Sequence, residues 1–183
     1  MDRVPTPSQT IGPFFHFCLT TDATLGCLAS PSAKGERIRL ACHIVDGDGV
    51  PLDDAMIEIW QADADGNYNP ADGSGFRSFG RLCTDKDGVC VFETVKPGQV
   101  PGPGGTRQAP NVNVLIFARG LLKQLVTRVY FYGEAANQKD PFLALVPEDR
   151  RGTLLAHPHP EEPGLWTFEI RLCHESETVF FDV

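Results

Sequence analysis

The stretch QAPNVNVLIFARG (108–120) sets two carboxamides, Asn111 and Asn113, one residue apart in a run of Val, Leu, Ile and Phe. In a strand alternate side chains share a face, so Asn111, Asn113, Leu115, Phe117 and Arg119 stand together, and Val112, Val114, Ile116 and Ala118 stand opposite. The second face is uniformly apolar and belongs to a core. The first is mixed, and amides buried there cost free energy unless their N–H and C=O groups find partners. Arg119 closes that face with a planar guanidinium that suits a carboxylate. The alternative for Arg119 is an ordinary strand-end arginine in solvent.

Other residues able to bind metal or attack a substrate are less well framed. His157 and His159 have the H-x-H spacing that, on a strand, aims two rings at one ion, and Glu161 and Glu162 follow. Yet they lie in HPHPEEPG (157–164), which reads as a proline-broken, solvated loop rather than a rigid frame. No G-x-S-x-G elbow or G-x-x-x-x-G-K-[ST] loop is present. PGPGGT (101–106) opens no helix, so it lacks the helix-terminus route to phosphate binding. The acidic pair Asp53/Asp54 sits beside a turn and reads as solvated surface. Cys18, Cys27, Cys42, Cys83, Cys90 and Cys173 include no C-x-x-C pair; Cys42, Cys90 and Cys173 fall in β-like stretches and read as small hydrophobes in a reducing, cytoplasmic compartment. Motifs alone assemble no catalytic site.

The elements that must position these residues are short strands. With 18 Gly and 15 Pro in 183 residues, the chain favours turns over long helices. A net charge of −8 argues against nucleic acid and anionic membrane as partners. No apolar run approaches the ~20 residues of a membrane helix, and the N-terminus has no signal-peptide pattern. Residues 1–36 read as an irregular arm and wrapping segment with an aromatic cluster at Phe14, Phe15 and Phe17. From 37 to 183, strands are expected at 37–45, 55–61, 89–95, 108–117, 124–132, 165–172 and 178–183. A polar, Gly-rich loop is expected at 62–80, and a weak helical signal falls within 134–156. The fold class expected is all-β: an antiparallel β-sandwich with an irregular arm and one or two short helices.

PSQTIGPFFH (7–16), IEIWQADADGNY (57–68), FGRLCTDKDG (79–88), TVKPG (94–98), APNVNVLIFARG (109–120), TRVYF (127–131) and ETVFFDV (177–183) fall in one order. Together they resemble the intradiol ring-cleavage dioxygenases over nearly the whole chain. The resemblance implies a β-sandwich and a non-haem ferric iron held by two tyrosinates and two histidines, which serves O2 insertion between the two hydroxyl-bearing carbons of a catechol. Position by position, the two histidines fall on Asn111 and Asn113, and one tyrosine falls on Val100. The second tyrosine is missing from the shortened 62–80 loop, where Tyr68 matches a non-ligand position. A neutral amide is a poor ligand for ferric iron and valine is none.

The resemblance therefore implies an iron-free, alpha-type chain with no catalytic residue and no metal of its own. Its Fe(3+) is expected on a similar, iron-binding beta subunit. It implies that Gly12, Pro13, Phe14 and Arg119 are lent to a pocket shared with that partner, with Phe14 standing where relatives often carry tyrosine. The implied substrate is protocatechuate (3,4-dihydroxybenzoate), taken with O2 to 3-carboxy-cis,cis-muconate in the beta-ketoadipate pathway, with Arg119 on the carboxylate. Two alternatives use the same residues: a purely structural subunit, and a stand-alone β-sandwich binding module with no substrate contact.

Overall fold

A computed structural model describes residues 7–182 except Asn69 and Asp72; the side chains of Pro13, Phe14 and His16 also fall outside the description. Among the described residues one short helix, α1 (Pro13–Leu19), comes first, entered at a proline, which suits the first helical position. Ten strands follow: β1 (Arg37–Val45), β2 (Met56–Gln61), β3 (Phe79–Cys83), β4 (Val89–Val95), β5 (Val100–Pro101), β6 (Arg107–Gln108), β7 (Asn111–Phe117), β8 (Leu125–Phe131), β9 (Leu155–Pro158) and β10 (Leu165–Arg171). Eight of them form one continuous sheet in the order β3-β2-β7-β8-β9-β10-β1-β4, while β5 and β6 pair separately.

Alternation builds the strands, and local chemistry turns them. In β1, Ile38, Leu40, Cys42 and Ile44 are buried. After it, Asp46 Oδ1 accepts from the N–H groups of Asp48 and Val50 at 2.9 and 2.8 Å. Asp85 does the same for Asp87 and Val89 ahead of β4. There Gly88 has φ +71°, and an added Cβ would sit 2.7 Å from the Ile44 carbonyl oxygen, so no other residue fits. The sheet folds on itself about the short β9, which gives two register pairs to β8 and two to β10. Ile57, Ile59, Val112, Val114 and Ile116 from one half and Leu40, Cys42, Ile44, Phe92 and Phe168 from the other form the main core. Each large side chain buried this way is worth about 1.5–3 kcal/mol.

The all-β sandwich expected from the sequence is the fold observed, with differences that have physical causes. The sheet is mixed: β1/β10 and β8/β9 run parallel and the other ladders antiparallel. Strand 79–83 takes in the last two residues of the expected 62–80 loop, and strand 155–158 spans the end of the helical signal and the start of the expected 157–164 loop. The helical signal in 134–156 resolves into three 3-10 segments, at Ala135–Lys139, Leu143–Leu145 and Glu148–Leu154. Residues 178–182 form no strand. They lie along β8 with isolated bonds, Phe181 N to Val126 O at 2.8 Å and Thr127 Oγ1 to Val179 O at 2.8 Å. The segment before β1 is partly built into the body: Leu28 is in the main core, and Cys27 and Ala29 bridge to Glu93 and Phe76.

Candidate functional site

β7 carries candidate residues at both ends. At its start, Asn111 is 3% exposed. Its Nδ2 donates to the Ala109 carbonyl at 2.7 Å, while its Oδ1 is buried without a partner among the described residues. Asn113, half-buried, donates from Nδ2 to the Trp60 carbonyl at 3.2 Å and lies 3.4 Å from the Tyr68 hydroxyl. The two amides thus bond to neighbours and not to each other. Val100 is buried in the β5–β6 pair.

Segments 135–154 close over this end. Tyr130, opposite Asn111 in register, packs with Ala109, Leu143, Val146 and Leu154 in a second core. Asp140, 1% exposed, anchors it by accepting from Ala109 N, Phe142 N, Leu143 N and the Tyr130 hydroxyl at 2.7, 2.9, 2.7 and 3.0 Å. Burial first, and Asp140's charge second, hold the Tyr130 phenol well above the ordinary tyrosine range. Arg128, opposite Asn113, donates to Gln108 Oε1 at 2.9 Å and lies over the Phe142 ring.

These residues do not fit a ferric ion. Two neutral amides and a valine stand at three of the implied ligand positions, both amides turn an N–H toward a backbone carbonyl, and a guanidinium occupies the register position opposite Asn113. Tyr68 and Tyr130 offer phenols, but the Tyr130 hydroxyl donates to Asp140 and its phenol is held protonated by burial. A ferric centre needs anionic oxygen donors to balance its charge, and a nearby cation opposes it.

The other end of β7 is built differently. The strand stops at Phe117, so Arg119 lies in a turn past the strand and not on the strand face, as alternation had placed it. The turn is closed by Leu121 N to Ala118 O at 3.3 Å. Gly120 N donates to Thr10 Oγ1 at 2.8 Å, and the Phe15 ring packs on Phe117 with centroids 5.3 Å apart. These two contacts bracket Gly12 and draw the arm to Arg119, uniting residues more than 100 positions apart. Gly12 is exposed, with nothing within 4 Å of a built Cβ. Pro13 and Phe14 begin α1, and their side chains lie outside the described residues. Beside them Ile11, Phe15, Phe117 and Leu121 line a shallow recess of about 180 Å³.

Arg119 is 74% exposed on its side chain and forms an ion pair through Nε with Asp54 Oδ2. Asp54 is therefore not idle surface, as its place beside a turn suggested. The signal that finds it is register. Met56 faces Phe117 as the last β2/β7 pair, and the two chains leave the ladder there side by side, which brings positions 54 and 119 into reach of each other.

A larger recess of about 710 Å³ lies on the opposite half of the sheet, where His43, His157, His159, Glu169 and Arg171 contribute to its lining. Size does not make it the candidate site: Glu169 there is already engaged by Arg171 Nε at 2.6 Å and lies 3.7 Å from His43 Nδ1, and the two other histidines are turned to partners of their own. His157 stands on β9, not in a loop, and stacks on Tyr132 with ring centroids 4.8 Å apart. His159 Nδ1 accepts from Glu161 N. Among the described residues no group of three or more His, Cys, Asp or Glu could hold a metal.

Fold and site define a class. The chain belongs to the intradiol dioxygenases: the family described as Dioxygenase matches residues 11–172. It is 42% identical to the protocatechuate 3,4-dioxygenase alpha chain of Pseudomonas putida, with 97% of this chain and 96% of that one covered. It is 31% identical to the protocatechuate 3,4-dioxygenase beta chain of Burkholderia cepacia, over 81% of this chain and 65% of that one. Among solved structures it is similar to the dioxygenase domain of a dioxygenase–carbohydrate-binding fusion from Streptomyces sp. SirexAA-E, at 28% identity and a TM-score of 0.64, covering 96% and 100% of the two chains.

Proposed function

We propose that this chain is the iron-free, alpha-type subunit of a two-chain protocatechuate 3,4-dioxygenase. That enzyme cleaves protocatechuate with O2 between its two hydroxyl-bearing carbons to 3-carboxy-cis,cis-muconate. One observation carries the reading: the positions implied for iron ligands hold Val100, Asn111 and Asn113, a set unfit for ferric iron, in a chain similar from end to end to an alpha chain. The ferric ion belongs to the partner beta chain. This chain contributes assembly surface and one wall of the pocket, from Gly12, Pro13, Phe14 and Arg119. Arg119 orients the substrate by its carboxylate, and a fixed orientation lowers the entropic part of the barrier. Six cysteines outside any disulfide support a reducing, cytoplasmic setting.

The test is expression of this chain alone and with an iron-bearing beta chain, measuring iron content, the tyrosinate-to-iron visible band and O2 uptake with protocatechuate. Iron, colour and turnover are expected in the pair and absent from the lone chain. Stoichiometric iron and turnover in the lone chain would overturn the proposal.

A further inference from the structure

We infer that Asp54 is a positioning residue: it holds Arg119 by Nε and so presents the two terminal nitrogens of the guanidinium outward as a fork for an aromatic carboxylate. The inference rests on the reading of Arg119 given above. Arginine has three faces for hydrogen bonding, and a carboxylate that occupies the Nε side leaves the end-on pair, Nη1 and Nη2, for a bidentate ligand. Neither terminal nitrogen makes a hydrogen bond to a described residue. A long exposed side chain otherwise samples many rotamers, and a ligand must meet the cost of ordering it.

The anchor is fixed where the arginine is not. Asp54 is 30% exposed on its side chain against 74% for Arg119. Its backbone is clamped next door: Ala55 N donates to Thr84 Oγ1 at 3.0 Å, Thr84 Oγ1 donates to Leu52 O at 2.7 Å, and Thr84 N donates to Ala55 O at 2.8 Å. Thr84 itself is buried. On the other side the Arg119 turn is tied to the arm through Gly120 and Thr10. The pair therefore bridges a fixed strand entry and the segment that carries Gly12.

An acidic neighbour has two opposing effects on an anion-binding arginine. It restricts the guanidinium, which favours binding, and it cancels charge, which disfavours it. The sign of a charge-removing substitution separates them. In the assembled complex with the iron-bearing chain, Asp54→Asn is expected to raise KM for protocatechuate about five-fold, a change of the size an ion pair of partial exposure supports. It should leave kcat within about two-fold. KM for catechol, which lacks the carboxylate, should not move. Asp54→Glu restores most of the loss. Arg119→Ala raises KM further, and adding Asp54→Asn to it changes nothing more. Size-exclusion chromatography checks assembly, and Asp54→Ser replaces Asp54→Asn if the latter fails to assemble. An unchanged or lowered KM in the Asp54 variant, alongside a raised KM in Arg119→Ala, overturns the role of Asp54 and leaves that of Arg119 standing. An unchanged KM in an assembled Arg119→Ala complex overturns both.

Discussion

The two ends of β7 lie roughly 20 Å apart at the usual rise of a strand, and the chain has treated them in opposite ways. At the Asn111 end nearly every polar group is turned inward and matched: Asp140 takes four donors, Arg128 is held by Gln108, and Tyr130 sits in an apolar shell. At the Arg119 end the covering segment is the arm, which meets β7 and its turn through the Phe15–Phe117 ring contact and the Gly120–Thr10 hydrogen bond and leaves a guanidinium largely in solvent. One end is closed by packing, and the other leaves a cation open to solvent. The contrast shows that one face of the strand can carry different chemistry at its two ends without disturbing the strand, because Val112, Val114 and Ile116 on its other face hold the main core regardless.

The largest expected effect tests the closed end. Asp140→Ala strips partners from three backbone N–H groups and the Tyr130 hydroxyl, all in a buried setting. A loss of about 3–5 kcal/mol in urea unfolding is expected. Arg119→Ala, its counterpart, should cost less than about 0.5 kcal/mol, since only an exposed pair is broken. Equal losses at the two ends would break the comparison.

Asn111→Leu is the intermediate case. The substitution removes a buried carbonyl oxygen with no partner among the described residues, along with one hydrogen bond to the Ala109 carbonyl. The gain of apolar burial and the loss of that bond oppose each other, so unfolding free energy should stay within about 1 kcal/mol of the parent chain. A loss near that of Asp140→Ala would mean that the amide is a full member of the polar network.

Much of this was legible in the residues. The two-residue alternation of β1, β2 and β7 is unambiguous, and the turns at Asp46 and Asp85 announce themselves by Asp and Gly. The misses have a common physical origin. β3 and β9 are short, and their pairing comes from neighbours rather than from their own pattern. Residues 178–182 have strand-like sequence and lie along the edge of β8 that β9 leaves open before Tyr130, but they meet it through one backbone bond and one threonine hydroxyl rather than a ladder. Arg119 was assigned a face by counting beyond the point where the strand ends. Asp54 gives no sign of its role because a carboxylate by a turn looks solvated until the end of the β2/β7 ladder brings the turn after β7 beside it. Thr10 gives no sign in the sequence of its bond to Gly120, because only the fold brings the arm to that turn.

The smallest expected effect probes how far the Asp54 charge reaches. Burial first, and then Asp54, push the Cys83 thiol from its ordinary 9.0 up to about 11. A raised pKa means the fold favours the protonated thiol. Its stabilising contribution is therefore complete below about pH 9 and fades as pH climbs through about 11. At pH 8.5 Cys83 should alkylate more slowly than the exposed Cys173, as followed by peptide mapping after iodoacetamide. Asp54→Asn removes a cause second to burial and leaves burial and Asp53 intact, so the Cys83 rate should rise only about two-fold. A rise of ten-fold or more would mean that the substitution has loosened the β2–β3 edge, and a KM change in that variant would then report lost structure instead of a misplaced guanidinium.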